Sequence, residues 1–167
     1  MILKYLTKNF YIKLILVVLI FLLDRISKLY IIYLNEKIYN SEIFISKFLN
    51  IRLIWNEGIA FGLFSFDQTL FYNFMTAIIV VVIFVILVMI INNYGFKMYS
   101  LLMIFGGAIG NLYDRIFFKA VPDFIDFHIG EFHWFIFNIA DIFITLGVIF
   151  MIFQEFIDNN TKKHEQV

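Results

Sequence analysis

A chain of 167 residues is about one domain long, but 62% of these residues are hydrophobic and the mean hydropathy is +0.89, well above the roughly half-apolar norm of soluble domains. The composition points to a single membrane-embedded domain spanning 1–167. A formal net charge of zero leaves no bulk field to attract nucleic acid, and the absence of cysteine excludes thiolate catalysis, disulfides and cysteine-based metal sites.

Taken in chain order, the first expected span covers about 12–34 and carries Asp24, Arg25 and Lys28. A signal peptide is the rival reading, but charges interrupt the segment and no small-residue cleavage site follows it. The segment 35–68 contains "LNIRLIWN" (49–56), whose near-alternation of apolar and polar residues predicts a half-buried strand. Gly58 and Gly62 would let the chain turn back after it. The second span, about 69–91, has no charged residue and is long enough for a hydrocarbon core of roughly 30 Å. The third, about 98–117, contains Gly106 and Gly110, a small-xxx-small spacing that reads as close helix packing. An outer loop is expected over 118–132 and a fourth span over about 133–153. The expected fold class is therefore an all-α membrane protein of four transmembrane helices with a small β-sheet on the extracytoplasmic side. Lys4, Lys8 and Lys13 at the head of span one, Lys97 between spans two and three, and Lys162 and Lys163 after span four place both termini in the cytoplasm. The margin is modest, because Lys37, Lys47, Arg52 and Lys119 lie on the opposite side.

Ionisable groups inside a span cost about 2.5–3.5 kcal/mol each on insertion scales and default to functional candidates. At ~1.5 Å rise per residue, Asp24, Asn111, Asp114, Asn138 and Asp141 all come to the outer half, delivered by three different helices. Asn111 with Asp114, and Asn138 with Asp141, stand three apart; Asn111 and Arg115 stand four apart. Each set shares a helix face. Asp24 with Arg25 and Lys28, and Asp114 with Arg115, read as readily as structural ion pairs. Asp141 is different. No basic residue lies within a helical turn of it, so its partner has to come from elsewhere in the fold.

A Ser-His-Asp arrangement finds no serine beside His128 or His133. A metal site could be assembled from Asp123, Asp126, His128 and His133, but no recognised ligand spacing is present, and these read as surface loop residues. The expectation is thus no metal and no cofactor. Two carboxylates sharing one proton remain, able to activate a water and protonate a leaving amine. Asp141 is one member; the other is left open among span one, span three and the outer loop. A small proton-coupled transporter is the rival from another class, but it predicts polar residues through both leaflets, and span two offers only Asn73.

The ordered segments "DRISK" (24–28), "NEGIAFG" (56–62), "GGAIGNLYDR" (106–115), "VPDFID" (121–126) and "FNIAD" (137–141) resemble the motifs of the lipoprotein signal peptidases, the type II signal peptidases of bacteria, over about residues 12 to 155. The resemblance implies a four-helix membrane aspartic endopeptidase of the bacterial inner membrane. Such an enzyme removes signal peptides from diacylglyceryl-modified prolipoproteins on the amino side of the lipidated cysteine. It implies catalytic roles for Asp123 and Asp141 and supporting or substrate-binding roles for Asp24, Asn56, Asn111, Asp114, Arg115 and Asn138. The partners so implied are the prolipoprotein and membrane lipid, with no nucleic acid and a monomeric enzyme. One departure is Pro122, where the family has an apolar residue, often valine; a proline removes a backbone donor just before Asp123.

Overall fold

A computed structural model of the chain describes residues 2–37, 42–58 and 68–165. The turn expected at Gly62, and residues 59–62 of the second motif, lie outside the described residues. The order of elements is α1 (Ile2–Lys37), β1 (Ile43–Ser46), β2 (Leu49–Asn56), α2 (Gln68–Asn92), α3 (Gly95–Phe118), β3 (Val121–Ile129), β4 (Phe132–Phe137) and α4 (Ile139–Glu165).

Among the described residues, three helices are long and apolar enough to cross a membrane: Tyr72–Asn92, Gly95–Phe118 and Ile139–Asp158. The central helix is α3, which packs against α1, α2 and α4. Its inward face supplies Met98, Leu101, Leu102 and Ile104, which meet Ile86 and Ile90 of α2, with Leu16 and Val17 of α1 and Ile144 and Met151 of α4 packed around them. The outward faces stay apolar: Val81, Phe84 and Ile91 of α2 and Phe153 of α4 are all exposed. A helix apolar on every side is solvated by protein core or by lipid, not by water. The Gly106 and Gly110 pair of α3 acts in packing as its spacing suggests: a Cβ at Gly106 would lie 3.0 Å from Ile20 Cβ and one at Gly110 2.6 Å from Asp24 Oδ2, both of α1. Gly107, outside that spacing, faces α4, and a Cβ there would lie 2.5 Å from the Ala140 carbonyl oxygen.

The four strands form one antiparallel sheet in the order β1-β2-β3-β4. The strand over 49–56 is as expected. The segment 118–132, expected as a loop, and the first residues of the expected fourth span form the hairpin β3–β4 instead, and α4 begins only at Ile139. The physical reason is visible in the burial pattern. Phe124, Asp126 and His128 are buried while Ile125, Phe127 and Ile129 are not, the period of two that belongs to a strand. Gly130 closes the hairpin with Glu131, at φ 59, a backbone region glycine enters without penalty. The aromatic run "FHWFIF" is apolar enough to read as membrane, yet aromatics are equally favoured in strands. Pro122 does not divert the chain. It pairs in register with Trp55 of β2, and β4 reaches only as far as Ile125, so at the proline β3 is paired with a strand on one side alone, the kind of edge position where proline is tolerated.

Candidate active site

"FNIAD" ends β4 and starts α4, and its spacing is that of a reciprocal helix cap. The Asp141 N–H donates to Asn138 Oδ1 (3.1 Å) while the Asn138 N–H donates to Asp141 Oδ2 (3.1 Å). Two donors that helix geometry would orphan are satisfied together. Asn138 is thus the cap just before the helix rather than a residue on its face, and Asp141 sits in the first turn of α4.

The rest of the Asn138 side chain reaches across to β3. Its Nδ2 donates to Asp123 Oδ1 at 2.6 Å and approaches Asn111 Oδ1 at 3.2 Å. Asn56, at the end of β2, donates to Asp123 Oδ2 at 2.9 Å. A one-residue register shift in β2 between Ile51 and Ile54 sets Ile54 opposite Asp123 and Asn56 opposite Val121. Asn111 of α3 donates to Asp141 Oδ1 at 2.8 Å. Asp123 and Asp141 therefore share Asn138 as a common partner, one through its amide side chain and the other through the cap. Burial pushes the Asp123 carboxyl up from 3.8 to about 6; the hydrogen bonds from Asn56 and Asn138 oppose the rise, and the nearby Asp141 charge adds to it.

Behind this pair lies a buried ionic cluster centred on Lys28, whose side chain is fully buried. Its Nζ donates to Asp24 Oδ2 (2.8 Å), Asn111 Oδ1 (2.9 Å) and Asp114 Oδ2 (2.7 Å), three bonds for three protons. Arg25 Nη2 stands 2.5 Å from Asp114 Oδ1, and its guanidinium lies over the Tyr113 ring. Asp24 Oδ1 accepts the Ala140 N–H at 3.1 Å, so a carboxylate from α1 serves the positive end of α4. The reading of Asp24, Arg25 and Lys28 as an ion pair holds, but Lys28 is more than that: through Asn111 it connects the cluster to Asp141. The i,i+4 spacing of Asp24 and Lys28 was the available signal. For Asp114 the expected neighbour Arg115 is not the partner; its cations come from α1. Arg115 Nη1 lies 3.5 Å from where a Gly58 Cβ would sit, and its carbonyl accepts the Tyr72 hydroxyl at 3.0 Å.

Two openings meet at this point. An apolar groove of about 610 Å³ is lined by Phe135, Ile136, Phe137, Asp141, Ile142, Thr145 and Leu146. A more polar cleft of about 320 Å³ is lined by Ile54, Trp55, Asn56, Glu57, Asp123 and Ile136. Ile136 lines both, so one carboxylate faces an apolar channel and the other a polar one. The histidines and acids weighed as a metal site divide: Asp126, His128 and His133 come together on the hairpin, and Asp123 does not join them.

A family model described as Signal peptidase (SPase) II matches residues 16–157. The chain is 50% identical over 159 residues to a lipoprotein signal peptidase of Pelagibacter ubique (strain HTCC1062), covering 95% of this chain and 96% of that one. It is 39% identical over 135 residues to a lipoprotein signal peptidase of Anaplasma marginale (strain Florida), covering 80% of this chain and 77% of that one. Among solved structures, one described as a bacterial membrane enzyme superposes with a TM-score of 0.72 at 29% identity, covering 90% of both chains. A second, described the same way, gives 0.69 at 28% identity over 85% of this chain and 90% of that one.

Proposed function

The chain belongs to the signal peptidase II family, and on that premise we propose that it removes signal peptides from lipoprotein precursors as an aspartic endopeptidase with Asp123 and Asp141 as its catalytic pair. The observation that carries the assignment is the Asn138 bridge, which holds the two carboxylates beside one another at the meeting of two grooves. Cleavage falls on the amino side of a diacylglyceryl-modified cysteine. The proton is placed on Asp123, whose carboxyl is held up to about 6. Asp141, with Asn111 and the Asn138 N–H aimed at its oxygens, is the acceptor. Asp141 takes a proton from water as its oxygen bonds to the scissile carbonyl carbon. Asp123 gives its proton to the carbonyl oxygen, forming a gem-diol. The C–N bond then breaks; the amine leaves with the proton from Asp141, and a gem-diol proton returns to Asp123.

The supporting residues divide by what they touch. Asn56 and Asn138 orient Asp123, and Asn111 orients Asp141. Asp24 and Asp114 anchor Lys28 behind them, and Arg115 serves the mouth of the site near Gly58. The apolar groove beside Asp141 takes the signal peptide and acyl chains, and the polar cleft beside Asp123 takes the polypeptide that follows the cysteine.

We place α1 across the bilayer as a fourth span. Its Asp24, Arg25 and Lys28, with Asp114 of α3, are two acids and two bases, nearly or fully buried. They cancel within the protein and spare the lipid an unpaired charge. Both termini are then cytoplasmic, and the sheet and the carboxylate pair lie at the outer face of the bacterial inner membrane. The enzyme acts as a monomer and as one membrane domain. The polar network gathers at the sheet end of the bundle, which gives transport no continuous path. The test is incubation of purified protein with a lipid-modified precursor and with its unlipidated form. Release of the signal peptide from the lipidated precursor alone is expected; equal cleavage of both would overturn the anchoring argument.

A further inference from the structure

We propose that Asp126, His128 and His133 form a binding site for a divalent transition metal of the Zn²⁺ type on the β3–β4 hairpin, separate from the carboxylate pair. Each of the three offers a ligand atom, and these atoms lie within 4.8 Å of one another. The strand geometry is built to gather them. Asp126 and His128 are two apart on β3 and so share a face. The hairpin pairs Phe127 with Phe135 but His128 with His133, a one-residue shift that leaves Trp134 without a partner. Without the shift Trp134 would stand opposite His128, and His133 would fall on the other face of the sheet.

The environment is that of a ligand set. Asp126 is fully buried, and its two oxygens lie 2.9 and 2.8 Å from His133 Nδ1. His128 is only 8% exposed, and its Nδ1 is buried with no hydrogen-bond partner among the described residues. A buried polar atom without a partner is costly, and a metal ion satisfies it. Two imidazoles and a carboxylate are borderline donors that suit Zn²⁺ and its neighbours rather than Ca²⁺ or Mg²⁺. The His133 side chain is 35% exposed, which leaves an entry path and a position for water as fourth ligand. The competing cation is Arg52, whose Nη2 is 3.6 Å from Asp126 Oδ2, beyond hydrogen-bond distance, with its side chain 36% exposed. β3 carries Asp123 and β4 leads into Asn138, so a bound ion would fasten the hairpin that links the two candidate carboxylates. The proposal stands on the hairpin alone and does not depend on the aspartic mechanism.

The test uses the full chain in detergent micelles, purified without a histidine tag, stripped with EDTA and titrated with Zn²⁺ by calorimetry and with Co²⁺ by visible absorption. The expected result is one ion per chain and the intense visible band of tetrahedral Co²⁺. Loss of a ligand in His133→Ala or His128→Ala should weaken binding by at least about ten-fold. Arg52→Gln should tighten it, and His164→Ala and Asp123→Asn should leave it unchanged. Thermal unfolding should shift upward with free Zn²⁺ in the wild type and not in His133→Ala. His133 is partly exposed, so its variant carries the test should His128→Ala fail to fold. Absence of stoichiometric binding, or binding that His133→Ala leaves intact, would overturn the proposal.

Discussion

Replacing Asp123 by asparagine should make the protein more stable above pH 6 while destroying its activity. Burial raises the Asp123 carboxyl from 3.8 to about 6. The folded state therefore holds this proton more tightly than the unfolded chain does. Below pH 3.8 both states are protonated and there is no effect; as pH climbs from 3.8 to about 6 stability is lost, and above 6 the loss is complete. A shift of about 2 units corresponds to ~3 kcal/mol. Asparagine carries no charge and removes that penalty, but it has one acceptor oxygen where the carboxylate offers two to Asn56 and Asn138. One hydrogen bond is lost, at a cost of ~1 kcal/mol. The variant should thus gain ~2 kcal/mol at pH 8 and lose ~1 kcal/mol near pH 4, which at this chain length is a melting temperature about 4–8 °C higher at pH 8. Thermal unfolding in detergent at both pH values, followed by near-ultraviolet circular dichroism, reads the difference directly. A variant whose offset from wild type is the same at pH 4 and pH 8 would refute the assignment of a burial-raised carboxyl to this position.

With Asp123 as the acid of the proposed pair, kcat/KM for a lipidated precursor should fall on the alkaline side with an apparent pKa near 6, and a flat profile through pH 8 would remove Asp123 from that role. Asp123→Asn and Asp141→Asn should each cost at least about 10³-fold in cleavage, because members of a catalytic unit fail together, and near-normal turnover in either would strike that residue from the pair. Lys28→Met leaves Asp24 and Asp114 short of a cation in a buried site, a loss of about 3–5 kcal/mol that should show as a large fall in melting temperature. Cysteines placed at Lys47 and Lys119 should react with an impermeant thiol reagent in intact spheroplasts, and labelling only after lysis would invert the orientation.

How much of this was legible depends on how far apart in sequence the partners lie. The charge-free span over 69–91 and the strand over 49–56 follow from short-range periodicity, and the helix α2 and strand β2 fall where expected. "FNIAD" was legible as an exposed problem, a carboxylate with no local base, and its solution is partly local too, since asparagine three residues before an acid is a capping pair. The hairpin is hidden in the sequence, although Gly130 between an alternating run and an aromatic one marks its turn; aromatic residues favour both lipid and strand, and hydrophobicity alone does not separate the two.

The contacts that hold the candidate site are of the other kind. Lys28 meets Asn111 and Asp114 across 83 and 86 residues of sequence, and Asp24 meets the Ala140 N–H across 116. No spacing rule reaches that far, which is why Lys28 read only as a neighbour of Asp24, and Asp114 read as a neighbour of Arg115. What made these distances short is the glycine stripe. With a side chain at Gly110 the Asp24 carboxylate would be displaced, and with one at Gly107 the Ala140 backbone would be pushed away from α3. The residues that look least chemical thus set the position of those that look most so. Asp24 and Ala140 meet because α3 presents nothing between them, and Asp141 is held by Asn111 because α3 and α4 run that close.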